Sequence, residues 1–317
     1  MTIAPLTLDT EGWLAGEDRV AVNGLDLAYQ TFGDPADPPV LLVMGLGTQM
    51  LGWPEDLCHD LAGAGHYVIR YDNRDIGGST HLHHLPAPTI VQMRGYATRR
   101  KPPPYSIDDM AGDAISLLDA LGLGVVHLVG VSMGGFIAQT AAIRAPERFR
   151  SLTLMLTSTG SRRVGQARLS VLRNMAKEGS VSTPEEAAAA TLTAYREIGS
   201  PGYPFDEDYL RRKALIGFER GAGDGDGRSR QLAAVIAQPN RSVALARLAL
   251  PTVVIHGLAD PLVRPSGGIA LARIIPGAKF VGYAGMGHDL PRDLWPDMGR
   301  EIKALFTRAD ERDPVST

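Results

Sequence analysis

Residues Val125 to Gly135 read V-V-H-L-V-G-V-S-M-G-G: an apolar run of strand type that ends in Gly130-Val131-Ser132-Met133-Gly134 and leads through Gly135 into the helical stretch Phe136, Ile137, Ala138 and Gln139. Few backbone paths accommodate this order. It fits a serine held on a sharp strand-to-helix turn, where the glycines two residues either side allow backbone segments to come so close that a Cβ would clash, and where the serine is itself strained. Such a turn lifts Oγ clear of a sheet and sets it at a helix N-terminus, whose dipole favours developing negative charge. A bare G-x-S-x-G also arises by chance in a chain with 36 glycines, as a glycine-rich loop closing a buried strand. The strand before and the helix after favour a nucleophile.

The chain around this turn alternates between two periods. After a loosely patterned arm to about Asp18, Val20 to Asn23 and Leu25 to Phe32 flank Gly24 as an antiparallel hairpin. Val40 to Met44 reads as a strand, Pro54 to Ala64 as a helix opened by proline, Tyr67 to Tyr71 as a strand and Ile107 to Leu121 as an amphipathic helix. Val126 to Val129 precedes the turn, Phe136 to Arg144 follows it as a helix, and Leu152 to Leu156 is the next strand. Alternation of this kind gives an α/β fold, a mostly parallel sheet with helices on both faces. From Ser158 to Leu248 the pattern breaks into helical stretches, Ala167 to Lys177, Pro184 to Arg196, Tyr209 to Phe218 and Arg230 to Ala237, with a glycine-aspartate run at Gly221 to Gly227. Thr252 to His256 and Lys279 to Tyr283 then restore the strands, with Ile269 to Ile275 and Met298 to Phe306 as helices and a polar tail from Ala309 to Thr317. The expected organisation is a core of residues 1–157 and 249–317 with a helical cap, 158–248, placed above the C-terminal edge of the sheet over Ser132. A solvent-facing decoration is the other reading of that insertion.

A serine hydroxyl is a weak nucleophile unless a base takes its proton, and the base needs an acid to fix its tautomer. Asp260 stands in the turn after the strand Thr252 to His256, at the edge where parallel sheets gather chemistry, and His288 stands in the glycine-flanked loop after Lys279 to Tyr283. The order Ser132, Asp260, His288 is the one expected behind such a turn. Taken singly, Asp260 before Pro261 also suits the start of a turn, and His288 a cap on the next segment. Their joint placement favours a triad. His256 reads as a packed strand-end residue and His127 as a core histidine. His81, His83 and His84 have no cysteine or carboxylate at ligand spacing and read as a solvated loop, so no metal is expected. The residue after the nucleophile, Met133, offers one backbone N–H for an oxyanion hole. Leu46, in the Gly45-Leu46-Gly47-Thr48-Gln49 loop after the strand Pro39 to Met44, is the candidate for the second; an ordinary β-to-α turn is the plainer reading of that loop.

A length of 317 residues suffices for one sizeable α/β core with an insertion, or for two domains. With 44% hydrophobic and 21% charged residues and a net charge of −3, the chain has neither a basic footprint for nucleic acid nor an acidic tail. The single cysteine, Cys58, excludes an intrachain disulfide framework and falls at an apolar helical position, as a buried inert thiol would. The start lacks a basic segment followed by an apolar one, and nowhere do eighteen apolar residues run together, so a cytoplasmic protein without a membrane span is expected.

The turn at Ser132, the acid turn and the histidine loop together resemble the α/β-hydrolase superfamily over nearly the full chain. Val43 to Pro54 (V-M-G-L-G-T-Q-M-L-G-W-P) and Ile69 to Thr80 (I-R-Y-D-N-R-D-I-G-G-S-T) look more narrowly like the branch that contains aclacinomycin methylesterase. In that branch Met44-Gly45 replaces the His-Gly of many relatives, and Asp75 stands where many carry glycine. The resemblance implies the α/β-hydrolase fold, a Ser132-Asp260-His288 triad, an oxyanion hole from Leu46 and Met133, and a helical cap shaping an apolar pocket. Asp72 and Arg74 read as loop-holding residues near the site, since the triad's duties are already filled. The expected activity is hydrolysis of a bulky, fairly apolar small-molecule ester through an acyl-enzyme, with no cofactor. A lactonase, macrolide esterase, thioesterase or prolyl aminopeptidase would use the same triad, and a non-catalytic ligand-binding receptor would keep the fold alone. A covalent aspartate mechanism is disfavoured because the elbow holds serine.

Overall fold

The computed structural model describes residues 15–98, 100–175, 181–222 and 225–311. Most of the N-terminal arm, the end of the Ala167 to Lys177 stretch, two residues of the Gly221 to Gly227 run and the last six residues of the tail lie outside the described residues. Strands β1 (Asp18–Val22) and β2 (Leu25–Phe32) form a hairpin closed by Asn23 and Gly24, both in the left-handed region at φ 53° and 79°. That is the Asn-Gly turn whose twist matches paired strands. Then follow β3 (Pro39–Val43), α1 (Glu55–Gly63), β4 (Tyr67–Tyr71), α2 (Ile90–Ala97), α3 (Ile107–Ala120), β5 (Val126–Val131), α4 (Met133–Arg144) and β6 (Phe149–Met155). Five described helices come next: α5 (Leu169–Met175), α6 (Pro184–Ile198), α7 (Glu207–Gly217), α8 (Gly225–Ala237) and the single turn α9 (Ser242–Leu245). β7 (Thr252–Gly257), α10 (Ser266–Ile274), β8 (Lys279–Tyr283) and α11 (Trp295–Asp310) complete the chain.

The eight strands form one sheet in the order β1-β2-β4-β3-β5-β6-β7-β8. All pairs are parallel except β1–β2 and β2–β4. Parallel strands are covered on both faces, so they read as continuous apolar runs, and side-chain alternation divides them between two cores. Leu41, Val43 and Leu128 pack with Leu117 of α3 and Ile137 of α4, while Val40, Leu42 and Val129 pack with Leu57 and Leu61 of α1 and Ile302 and Phe306 of α11. Cys58 is fully buried on α1, and burial pushes its thiol up to about 12. His127 is a core residue: Nδ1 lies 2.8 Å from Ser151 Oγ, the ring stacks on Phe306 at 4.0 Å between centroids, and burial lowers its pKa to about 4.

Sequence periodicity places the helices well where one face is apolar and misses α2. That helix has a capping box, Thr89 and Gln92 satisfying each other's backbone N–H. It nevertheless carries Gly95 inside it and exposes Ile90 and Val91, each 76% accessible, so no apolar stripe marks it. Among the described residues no helix is long and apolar enough to cross a membrane.

Candidate active site

Ser132 sits between β5 and α4 at φ 55°, ψ −116°, a conformation that L-residues rarely adopt. The surroundings enforce it. Its N–H donates to Met155 O at 2.9 Å, and its carbonyl accepts from Gly135 N at 3.0 Å and Thr157 Oγ1 at 2.8 Å. A Cβ on Gly130 would overlap the Gly134 carbonyl, and one on Gly134 would overlap the Val43 carbonyl. The two glycines that the motif demands are therefore the points where β5, α4 and β3 touch backbone to backbone.

His288 Nε2 lies 3.0 Å from Ser132 Oγ, and His288 Nδ1 lies 2.7 Å from Asp260 Oδ2. The other oxygen of Asp260 accepts from the N–H groups of Leu262 and Val263, each at 2.8 Å. The tautomer that donates from Nδ1 to the Asp260 carboxylate leaves the Nε2 lone pair facing the serine hydroxyl. His256 Nε2 comes within 3.7 Å of Asp260 Oδ2 but is committed to Val263 O at 2.7 Å, and burial lowers its pKa. Its ring packs against Gly268 of α10.

The histidine loop is held by the residues that end α6. His288 N–H donates to Ile198 O at 2.7 Å and Gly287 N–H to Ser200 Oγ at 2.9 Å, while Gly202 N–H donates to Gly285 O at 2.9 Å. Asp289 also pairs with Ser200 Oγ, and burial raises its carboxyl pKa against that hydrogen bond.

On the other side of Ser132 runs the loop after β3. Gly45 lies so close that a Cβ there would stand 3.2 Å from Ser132 Cβ. The chain then turns through Thr48 N–H to Gly45 O at 3.3 Å, with Gly47 in the left-handed region at φ 62°. Met133 opens α4, so its N–H belongs to the first turn, which has no acceptor within the helix. Leu46, Met133, Ser132 and His288 all border one cavity of about 2230 Å³, which is also lined by Leu172, Leu210 and Ile236 of the helical segment between β6 and β7.

A family model described as alpha/beta hydrolase fold matches residues 38–291. The chain belongs to the alpha/beta hydrolase fold family. Among curated relatives of this alpha/beta hydrolase, rhodomycin D methylesterase DauP of Streptomyces sp. (strain C5) is 33% identical over 310 residues, covering 92% of this chain and 97% of the relative. Rhodomycin D methylesterase DnrP of Streptomyces peucetius is 32% identical, covering 87% and 93%. A 3-oxoadipate enol-lactonase of Acinetobacter baylyi is 27% identical, covering 80% and 82%. Among solved structures, the meta-cleavage product hydrolase of Pseudomonas fluorescens IP01 superposes with a TM-score of 0.68 at 20% identity, covering 92% of this chain and 98% of that one. These likenesses place the chain in the branch of methylesterase-like α/β-hydrolases.

Several residues tie this alpha/beta hydrolase together near Ser132, among them Asp72 and Arg74, which the sequence marks as loop-holding, and Gln231, which it does not. Asp72 accepts from Met50 N–H at 2.6 Å and Gly78 N–H at 2.9 Å and pairs with Arg220 at 2.9 Å; burial raises its pKa against that cation. Arg74 turns the other way, to Asp113 of α3 at 2.6 and 2.7 Å. Both therefore hold the loop after β4, each with a partner far along the chain. Gln231, fully buried on α8, accepts from Gly47 N–H at 2.8 Å and donates to Arg74 O at 2.8 Å. Among the described residues only His66, His127 and Asp310 group like metal ligands, at the end of the sheet opposite Ser132. There Arg150 already sets a cation 3.0 Å from Asp310 Oδ1.

Proposed function

We propose that the protein is a serine hydrolase of carboxylic esters in which Ser132 is the nucleophile, His288 the general base and acid, and Asp260 the group that orients the imidazole. The observation that carries this reading is the unbroken chain Asp260–His288–Ser132, at 2.7 and 3.0 Å, ending beneath the cavity. His288 Nε2 takes the Ser132 proton as Oγ attacks the ester carbonyl, and the oxyanion is stabilised by the N–H groups of Leu46 and Met133. The tetrahedral intermediate collapses to an acyl-serine as His288 protonates the departing alcohol. Water, deprotonated by the same imidazole, attacks the acyl-serine, releases the carboxylic acid and returns the proton to Ser132 Oγ. No step requires a metal or an organic cofactor.

Residues 158–248 act as a cap over a core of 1–157 and 249–317, and the substrate is a bulky, fairly apolar small molecule. A cavity of about 2230 Å³ exceeds the range of about 300–1,000 Å³ usual for small-ligand pockets. The relatives at 32–33% identity are named methylesterases of rhodomycin D. A large acid part with a small alcohol fits both facts. Lactone hydrolysis is the second reading, favoured by the enol-lactonase relative.

The test is hydrolysis of p-nitrophenyl esters from acetate to decanoate and of methyl esters of polycyclic acids, wild type beside Ser132→Ala, with fluorophosphonate labelling in parallel. Serine-dependent turnover and labelling at Ser132 are expected. Equal rates in the two proteins would sink the assignment, and a folded wild type that neither turns over nor labels would point to a ligand-binding protein. Mass spectrometry separates a methylesterase, which releases methanol, from a lactonase, whose single product gains one water.

A further inference from the structure

The loop that offers Leu46 N–H is short, and within itself it is fastened by the Gly45–Thr48 turn and by Thr48 Oγ1, which donates to Leu46 O at 3.2 Å. The peptide unit joining Leu46 to Gly47, whose carbonyl end Thr48 Oγ1 holds, adjoins the unit that carries Leu46 N–H. Its N–H end is held from outside. Gln231 Oε1 on α8 accepts from Gly47 N–H at 2.8 Å, and the same amide's Nε2 donates to Arg74 O at 2.8 Å. The two bonds fix which way the Gln231 amide faces, so its oxygen is committed to the loop. Two residues further on, Gln49 donates to Gly217 O at 2.7 Å and also pairs with Arg220.

From this geometry we infer that Gln231 is a positioning residue for the oxyanion hole: by holding Gly47 N–H from the helical cap it fixes the peptide that follows Leu46, and through it the backbone that presents Leu46 N–H. The inference rests on the triad and oxyanion reading above. It ties α8 to the hole, since the acceptor that holds the loop sits on that helix. Gln231 touches no reacting atom. Its effect belongs to the transition state, where the carbonyl oxygen becomes an oxyanion, and the ground-state ester should scarcely register it.

The experiment compares Gln231→Met, which loses both bonds, with Gln231→Glu, which keeps an oxygen for Gly47 N–H and loses the donor to Arg74 O. Each is measured for kcat and KM on a p-nitrophenyl ester and for Ki of a trifluoromethyl ketone, which forms a tetrahedral oxyanion at Ser132. Gln231→Met is expected to lower kcat by about tenfold and weaken the ketone by a similar factor with KM within twofold, while Gln231→Glu keeps kcat within about threefold of wild type. Gln231→Ala serves should Gln231→Met not fold, with a loss of about threefold to tenfold because water can enter the space. Folded Met or Ala variants with wild-type kcat would overturn the inference, and so would a Glu variant as impaired as the Met variant. Both results leave serine-dependent turnover intact. Wild-type protein without Ser132-dependent turnover would instead remove the parent reading, and the inference with it.

Discussion

Arg230 on α8 donates from Nε and Nη2 to the two oxygens of Asp75, at 2.9 and 2.8 Å, across 155 residues of sequence. Asp75 is buried at φ 68°, and its Oδ1 also accepts from Leu82 N–H at 2.6 Å. Burial alone would raise this carboxyl's pKa; the Arg230 guanidinium and the Leu82 amide hold it below the ordinary value. The pair joins the loop after β4 to the helical segment beside Gln231.

Removing one member leaves the other as an uncompensated buried charge. Asp75→Ala should destabilise by about 3–5 kcal/mol, and the double variant Asp75→Ala/Arg230→Met should recover part of that loss. Urea unfolding of the four proteins in the cycle checks it; a double variant as weak as the sum of the singles would contradict the coupling.

Asp260→Asn keeps an oxygen for the Leu262 and Val263 amides and turns an NH₂ toward His288. The imidazole must then present a lone pair at Nδ1 and carry its proton on Nε2, facing Ser132 Oγ. A fall in kcat of about 10⁴ with little change in melting temperature is expected from esterase assays. Retention of more than a tenth of wild-type kcat would speak against the assigned tautomer.

Two glycine replacements should have opposite signs. Gly134→Ala drives a Cβ into the Val43 carbonyl, at the contact that shapes the elbow, and should unfold the protein or cost several kcal/mol of the order seen for core overpacking, about 1–3 or more. Gly95→Ala meets nothing within 4 Å inside α2 and should stabilise by about 0.5–1 kcal/mol. Calorimetric melting of both variants decides it.

His127 titrates at about 4 in the folded chain against an ordinary 6.5, because burial disfavours its charged form. The neighbouring groups divide: Asp310 favours the charge, His66 and Arg150 oppose it. The unfolded chain therefore takes up this proton at higher pH than the folded one. The stability that His127 contributes is fully present above about pH 6.5 and is lost as pH falls toward about 4. His127→Asn, which keeps a partner for Ser151 but cannot titrate, should flatten the drop in melting temperature across that window; parallel curves would refute the account.

The elbow was legible because its constraint is local: Gly130, Ser132 and Gly134 are fixed by contacts within a few residues and with the adjacent β3. The hairpin about Gly24 and the span of β4 were readable for similar reasons, a glycine break in one case and an apolar run in the other, although Asn23, read as strand, belongs to the turn. The elbow helix begins at Met133, three residues before its apolar stripe announces it, since Met133, Gly134 and Gly135 carry no helical periodicity. Gln231, Arg230 and Arg220 could not be found from the sequence. A polar residue on a helix reads as solvent-facing, and only the fold brings Gly47, Asp75 and Asp72 beneath them.

The end of α6 grips the histidine loop through Ile198 O and Ser200 Oγ, while α8 grips the loop after β3 through Gln231. A chimera that exchanged residues 158–248 for those of a relative would thus remodel the pocket wall and replace two handholds of the machinery in one cut. The Ile198 contact uses a backbone oxygen and survives any side chain; those at Ser200 and Gln231 do not. New specificities should be easiest to reach, by evolution or by design, through the inward faces of α5 and α6 with positions 200 and 231 left as they are.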